Sequence, residues 1–315
     1  MKLCRLVTLA FALAAVALPG GCGPKDAPDV LRTDHCPVEG CKDAAGVDSG
    51  PLVIPYEPLE PWDMTGAGPL SGVFAVETII GARVGIPVET RQIFRLRILQ
   101  HGATLKQKTT RCAFKLPKVE GVATLVIPPA LQALFQEKHV EVEGKFLSSE
   151  QLVGAAWNPT PSLLLVGADL KKPETDPLPK IDDPATPTID ESAGAIDEDA
   201  DGHPGVTLKA SVVTCGEGVF EDLYVALRTG VELGGKVVTL DRIEGSAYVT
   251  LDQSVVGMSH KCLLTAAKLN IQVDPGSPFK AVRVGDEQDM NQDGNVSCPE
   301  LAAEAVPLFG QFWAD

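Results

Sequence analysis

Aromatic residues are scarce in this chain, 5% of 315 residues, with three tryptophans and three tyrosines. Any core must therefore be filled by Val, Leu, Ile and Ala, with few aromatic anchors. Basic residues are also short: 27 Lys and Arg stand against 42 Asp and Glu, a net charge of -15. That balance repels polyanions, so nucleic acid is not expected as a partner, and it attracts cations. Only five histidines are present, His35, His101, His139, His203 and His260, and they are scattered. Neither a GxSxG elbow nor an HExxH helix occurs, and the expectation is a protein that is not an enzyme. A Ser-His-Asp triad assembled in space would leave no linear signature. Gly230 to Lys236 spells GxxxxGK, but Val237 replaces the Ser or Thr that would hold magnesium. Its context reads as strand-turn-strand, and a phosphate-binding loop is set aside.

No apolar run approaches the roughly 20 residues of a membrane-spanning helix. The longest, Leu6 to Leu18, has 13 residues and follows Lys2 and Arg5. Pro19-Gly20-Gly21-Cys22 comes next. The segment reads as an export signal over residues 1–21, with Cys22 taking a diacylglyceryl group. Pro19 stands where such a motif ordinarily carries Leu, Val or Ile, and the alternative is simple cleavage near Gly20 or Gly21. Lipidation would anchor the chain by acyl chains. Gly23, rather than Asp, follows the cysteine. By resemblance to Gram-negative lipoproteins, that points to the outer membrane, facing periplasm or cell surface. Loss of the signal removes Lys2 and Arg5 and takes the charge from -15 to -17.

Beyond Cys4 and Cys22, six cysteines remain: Cys36, Cys41, Cys112, Cys215, Cys262 and Cys298. An even number in an exported chain reads as three disulfides, whose connectivity sequence does not dictate. Cys36 and Cys41 are close and pair most simply; Cys112–Cys215 and Cys262–Cys298 complete the expected set. A metal site from His35, Cys36 and Cys41 lacks a fourth ligand and is set aside.

Residues 22–60 are rich in Pro, Gly and Asp without periodicity and read as a lipid-anchored tether. Residues 61–168 form a β-rich half. Phe94, Leu96 and Ile98 alternate with Arg95 and Arg97; Cys112, Phe114 and Leu116 with Ala113 and Lys115; Val140 and Val142 with Glu141 and Glu143. Period two with one polar face predicts antiparallel sheet. Pro128 and Pro129 lead into Leu131, Leu134 and Phe135, the apolar stripe of a short helix. Residues 169–204 are acidic and punctuated by Pro173, Pro177, Pro179, Pro184 and Pro187, which reads as a linker or long loop outside the core. In the second β-rich half, 205–315, Val206, Leu208, Ala210 and Val212 share a face, as do Leu223, Val225 and Leu227. Leu269, Ile271 and Val273 alternate before the turn Asp274-Pro275-Gly276-Ser277-Pro278. Trp62, Trp157 and Trp313 are placed at core ends or rims. The expected fold is all-β, an antiparallel barrel or sandwich with a few short helices. One composite β domain is preferred over two sandwiches, and closure into a barrel would remove sheet edges.

Asp289, Asn291, Asp293, Gly294 and Glu300 fall at positions 1, 3, 5, 6 and 12 of a calcium loop. Asn295 would offer its carbonyl at position 7, and Ser297 acts at 9 directly or through water. Calcium takes six to eight hard oxygens, the glycine permits the sharp turn, and a final glutamate closes the shell with two oxygens. These twelve residues resemble an EF-hand loop. Before them, Phe279 to Val284 reads as a strand; after them, Pro299 to Ala305 reads as one or two helical turns. The loop thus sits on a β scaffold, without the paired helices of a sensor. Asp197, Asp199, Asp201 and Gly202 repeat the first half of the pattern, but position 12 is Leu208, which cannot bind, and position 7 is His203. Such runs resemble thrombospondin type 3 repeats, which implies structural calcium. The segment Asp197 to Val213, with Asp201-Gly202-His203-Pro204-Gly205-Val206-Thr207 and with Asp241-Arg242-Ile243-Glu244-Gly245, resembles uncharacterised outer-membrane lipoproteins of myxobacteria and relatives. That resemblance implies a location and no activity.

The expected function is a structural or partner-binding role at the envelope, stabilised by calcium and disulfides, with another envelope protein as the partner class. The alternatives are a lipocalin-like carrier of an apolar ligand and, further off, a secreted hydrolase.

Overall fold

The computed structural model describes residues 63–84, 86–116, 123–146, 151–180, 194–216, 218–264, 271–292, 295–310 and 313. The signal, Cys22, the tether with Cys36 and Cys41, Trp62, and Asp293 lie outside the described residues. The elements run β1 (Gly72–Val84), β2 (Ile86–His101), β3 (Thr104–Lys115), β4 (Ala123–Val126), α1 (Pro129–Glu137), β5 (Val140–Lys145), β6 (Ala156–Trp157) and β7 (Ser162–Val166). Then follow β8 (Val206–Val212), β9 (Glu221–Thr239), β10 (Arg242–Met258), β11 (Gln272–Val273), β12 (Ser277–Val284), α2 (Cys298–Ala303) and α3 (Ala305–Phe309).

The twelve strands among the described residues join one antiparallel sheet, its main path in the order β4-β8-β9-β10-β12-β1-β2-β3-β5. It curls into an open half-barrel. The two β-rich halves interleave, because β1 pairs with β12 and β4 with β8. The described path ends on β4 and β5 and does not close. The edge at β5 is guarded instead by its composition: Glu141, Glu143 and Lys145 are exposed along it, which discourages pairing with another chain. Strand β9 serves several partners in series along one side. It pairs with β8 at Glu221–Val225, with β7 at Leu227–Val231 and with β6 at Gly235 and Lys236.

The GxxxxGK stretch is the middle of β9, a single 19-residue strand, and not strand-turn-strand. Its glycines serve packing. Gly235 pairs with Gly245 of β10, and a Cβ on Gly245 would lie 2.1 Å from the Gly234 carbonyl oxygen. A Cβ on Gly235 would meet the Phe279 ring at 2.8 Å. Phe279 in turn packs on Trp157, ring centroids 5.6 Å apart. Trp157 is fully buried in the first core cluster, with Phe74, Leu96, Ile98 and Ile243. Helix α1 forms as its apolar spacing predicts, with Pro129 in its first turn and Leu131 and Phe135 buried. Those two side chains join a second cluster with Val206, Val212, Leu223 and Val225.

A third cluster covers the sheet's other face. There the C-terminal segment places Leu301, Ala305 and Trp313 on Ala75, Ile93 and Ala113. The Trp313 indole N–H donates to Glu77 Oε1 at 2.8 Å. The Asp241-Arg242-Ile243-Glu244-Gly245 motif is structural. Ile243 is fully buried and Asp241 accepts from Arg283 Nε at 2.6 Å. Arg283 also donates to the carbonyls of Ser71, Pro69 and Leu240, tying the start of β1 to the β9–β10 turn.

The disulfides correct two expected pairings. Cys112 bonds Cys298, and Cys215 bonds Cys262, with Cα atoms 4.8 Å and 5.0 Å apart. The reason lies in a β-bulge. Ile93 pairs with Ala113 and Phe94 with Arg111, so Cys112 is the extra residue. A bulge breaks the period-two alternation. Cys112 therefore joins the outer cluster beside α2, while Phe114 faces the inner one. The Cys215–Cys262 bond joins two single-turn 3-10 segments that follow β8 and β10.

The described parts of the acidic stretch, 169–180 and 194–204, hold no helix and no strand beyond single bridges, and they are not all outside the core. Leu178 is 6% exposed and Ala195 fully buried. Leu178 packs with Tyr224, Ala226 and Val256 on the β9–β10 ribbon.

Candidate functional site

The loop 197–205 is held at the end of β7 by backbone pairing. Ala168 bridges Ala195, Asp197 bridges Gly205, and Gly167 N–H donates to Glu198 Oε2 at 2.6 Å. Gly167 and Gly205 must be glycine: both have positive φ, and a Cβ on Gly205 would lie 2.5 Å from the Val225 carbonyl oxygen. This close crossing fixes where the three carboxylates of Asp197, Asp199 and Asp201 meet. One oxygen from each lies within 4.8 Å of the others.

Each carboxylate is oriented. Asp197 accepts from the N–H groups of Asp201 (3.1 Å) and Gly202 (2.8 Å). Asp201 accepts from His203 N at 2.9 Å and from the Thr207 hydroxyl. Asp199 Oδ2 accepts from Thr207 N at 2.8 Å, while its Oδ1 is buried with no hydrogen-bond partner. Burial, and then the charges of Asp201 and Asp197, raise the Asp199 pKa above the ordinary carboxylate range, against the hydrogen bond from Thr207. The His203 ring stacks on Tyr224 at 4.2 Å, and Leu208 turns into the core. Thr207 is the residue that sequence reading missed. It lies beyond the acidic run, and only the fold returns it to the carboxylates.

Carboxylate oxygens are hard donors, and three of them would supply part of the six to eight that calcium takes. An orphaned buried oxygen amid like charges is the arrangement that a divalent cation relieves. Asp197, Asp199 and Asp201 are the described residues that would hold such an ion.

The second loop is built differently. Asp289, Ser297 and Glu300 are buried, Asn291 is exposed, and Asp293 and Gly294 lie outside the described residues. Ser297 and Glu300 form a capping box at α2: Glu300 Oε2 accepts from Ser297 N at 2.7 Å, and Ser297 Oγ accepts from Glu300 N at 3.4 Å. Glu300 Oε1 accepts from Asn291 N at 3.1 Å, which draws the start of the loop onto the helix. Burial alone would raise the Glu300 pKa, but hydrogen bonds from Ser297, Asn291 and Met290 outweigh it and lower the value. The S-x-x-E spacing of that box was legible at 297–300. Both loops carry a non-glycine residue with positive φ at their fourth position, Ala200 at 57° and Gln292 at 56°.

Beside the first core cluster lies a small open-sided space, with about 40 Å³ of room for water-sized molecules. Val76, Leu96, Val231 and Leu233 are among its walls.

A scan of protein-family models finds no match for this chain, and searches of curated proteins and of solved structures return no significant match. No helix among the described residues is long and apolar enough to cross a membrane.

Proposed function

We propose that this chain is an exported, lipid-anchored envelope protein with a non-enzymatic, structural or partner-binding role, its β half-barrel stabilised by disulfides and calcium. Cys22 is the anchor, and the outer membrane is the location that the leader favours. The supporting observation is the meeting of Asp197, Asp199 and Asp201, with one buried Asp199 oxygen lacking a partner. An ion there would neutralise the cluster and brace the entry to β8. Calcium titrated into chelator-stripped protein is expected to raise the melting temperature saturably, and equal melting with and without calcium would overturn the stabilising role. Native mass spectrometry of protein extracted in mild detergent tests the anchor, which predicts acyl mass on the mature N-terminus.

One observation favours a second reading, a carrier. The space inside the curl is open on one side, and Val76, Leu96, Val140, Val231 and Leu233 give its lining an apolar strip.

A further inference from the structure

Two polar side chains facing the space inside the curl, buried Thr78 and half-buried Arg111, lack the hydrogen-bond or ion-pair partners that such groups normally have. Thr78 is 2% exposed, and its hydroxyl has no hydrogen-bond partner. Arg111 also lines the space. Its guanidinium lies 6.0 Å from the Phe94 ring centroid and 5.9 Å from that of Phe135. No ion pair or hydrogen bond among the described residues uses it. The other cation on the wall, Lys138, is already committed: it pairs with Glu198 and donates to the Leu165 carbonyl at 3.0 Å.

Register explains the placement. Val76 pairs with Phe94 and Phe94 with Arg111; the next row runs Leu96, Thr109, Val140. The bulge at Cys112 keeps Arg111 on the same face as Phe114, although simple alternation assigns them to opposite faces. Bulges recur where a side chain is re-aimed beside a functional site. Burial lowers the Arg111 pKa to about 10, which still leaves it charged at neutral pH. Arg111 is half-buried, and a cation partly withdrawn from water without an anion is costly, so the arrangement suits an anion delivered from outside.

We propose that this space binds a small amphiphilic carboxylate, its head on Arg111 and Thr78 and its chain along Val76, Leu96 and Val231. The guanidinium fork matches a carboxylate bidentately, and the Thr78 hydroxyl supplies a further donor. The inference rests on the carrier reading and adds the ligand's charge and class to it.

The test is calorimetric titration of the full chain, disulfides intact, with octanoate, 1-octanol and octyltrimethylammonium. Octanoate is expected to bind at least about tenfold more tightly than octanol, the scale of one charged hydrogen bond, and the cation not to bind. Arg111→Met should weaken octanoate about tenfold or more and leave octanol unchanged, at an undiminished melting temperature. Thr78→Val, nearly isosteric, should weaken octanoate by a smaller factor and serves if the Arg111 variant misfolds. Octanol binding as tightly as octanoate, with both variants silent, would overturn the anion site and leave a carrier. Failure of all three probes to bind would overturn the site and the carrier reading together.

Discussion

Asp199 holds Thr207 with one oxygen and leaves the other buried and unpartnered. Because its pKa is raised, the folded chain keeps this proton to higher pH than the unfolded chain does. Without calcium, its contribution to stability therefore falls as pH rises from the ordinary carboxylate range through the raised value. Asp199→Asn removes that penalty and keeps an acceptor for Thr207. In chelator, melting of the variant should hold or rise relative to the parent, increasingly so toward neutral pH. In calcium the order should invert. A variant that melts lower than the parent by the same margin in both conditions would assign Asp199 a packing role only. Glu300 behaves with the opposite sign. Its lowered pKa gives stability that is present above the unfolded value and is lost as pH falls through the folded one. Glu300→Ala strands the N–H groups of Ser297 and Asn291. The expected cost is about 1–2 kcal/mol in denaturant unfolding. Glu300→Gln can still complete the capping box and should cost under about 1 kcal/mol in chelator. A larger deficit confined to calcium would show that the carboxylate also serves an ion.

The individual elements were legible where one physical rule decided them. Pro129 with Leu131 and Phe135 predicts α1, period two predicts β2, β5 and β8, and Phe279 to Val284 reads as the strand that becomes β12. Legibility failed where two strands press on each other. Gly230, Gly234 and Gly235 read as a turn, because a glycine's effect on its own chain is visible and its neighbour's need for space is not. The Gly235–Gly245 crossing belongs to two strands at once. Gly245→Ala should accordingly cost about 2 kcal/mol or more, because its Cβ meets backbone rather than a movable side chain. Denaturant unfolding checks this, and a loss under about 0.5 kcal/mol would mean that the ribbon can separate there. The bulge at Cys112 defeated alternation in the same way, and with it the disulfide pairing. Non-reducing peptide mapping should recover Cys112 joined to Cys298 and Cys215 to Cys262. Breaking the first bond by Cys298→Ser, with Cys112→Ser to avoid a free thiol, should cost roughly 2–4 kcal/mol. It should also expose α2 and α3 to proteolysis before the sheet.

At the scale of the molecule, the chain reads as two β-rich lengths with an acidic stretch between them, and the fold makes them one sheet. β1 from the first length lies between β2 and β12, and among the described strands β4 pairs with β8 alone. The Cys112–Cys298 bond joins the lengths again, across 186 residues. Part of the acidic stretch is drawn into the structure by Leu178, and Ser254 donates to the Pro179 carbonyl at 2.6 Å. Composition marks that stretch as polar but does not show which of its few apolar side chains finds a surface. Pairing between distant strands has no local signal, which is why the choice between one domain and two stayed a preference in the sequence. The topology now turns it into an experiment. A fragment of residues 61–168 keeps the β1–β2–β3–β5 meander but loses β12 from one side of β1 and β8 from β4. It also exposes Phe74, Val76 and Ala75, whose covers come partly from β12, β9 and the C-terminal segment. Such a fragment should lack a cooperative melt and should bind a hydrophobic dye, while the chain from residue 61 to 315 should unfold in one transition by calorimetry and circular dichroism alike. If the fragment melts cooperatively on its own, the β1–β12 seam is an interface between two domains. If it does not, the acidic stretch is a crossover within one fold, and loss of either length removes the inner space and the carboxylate loop together.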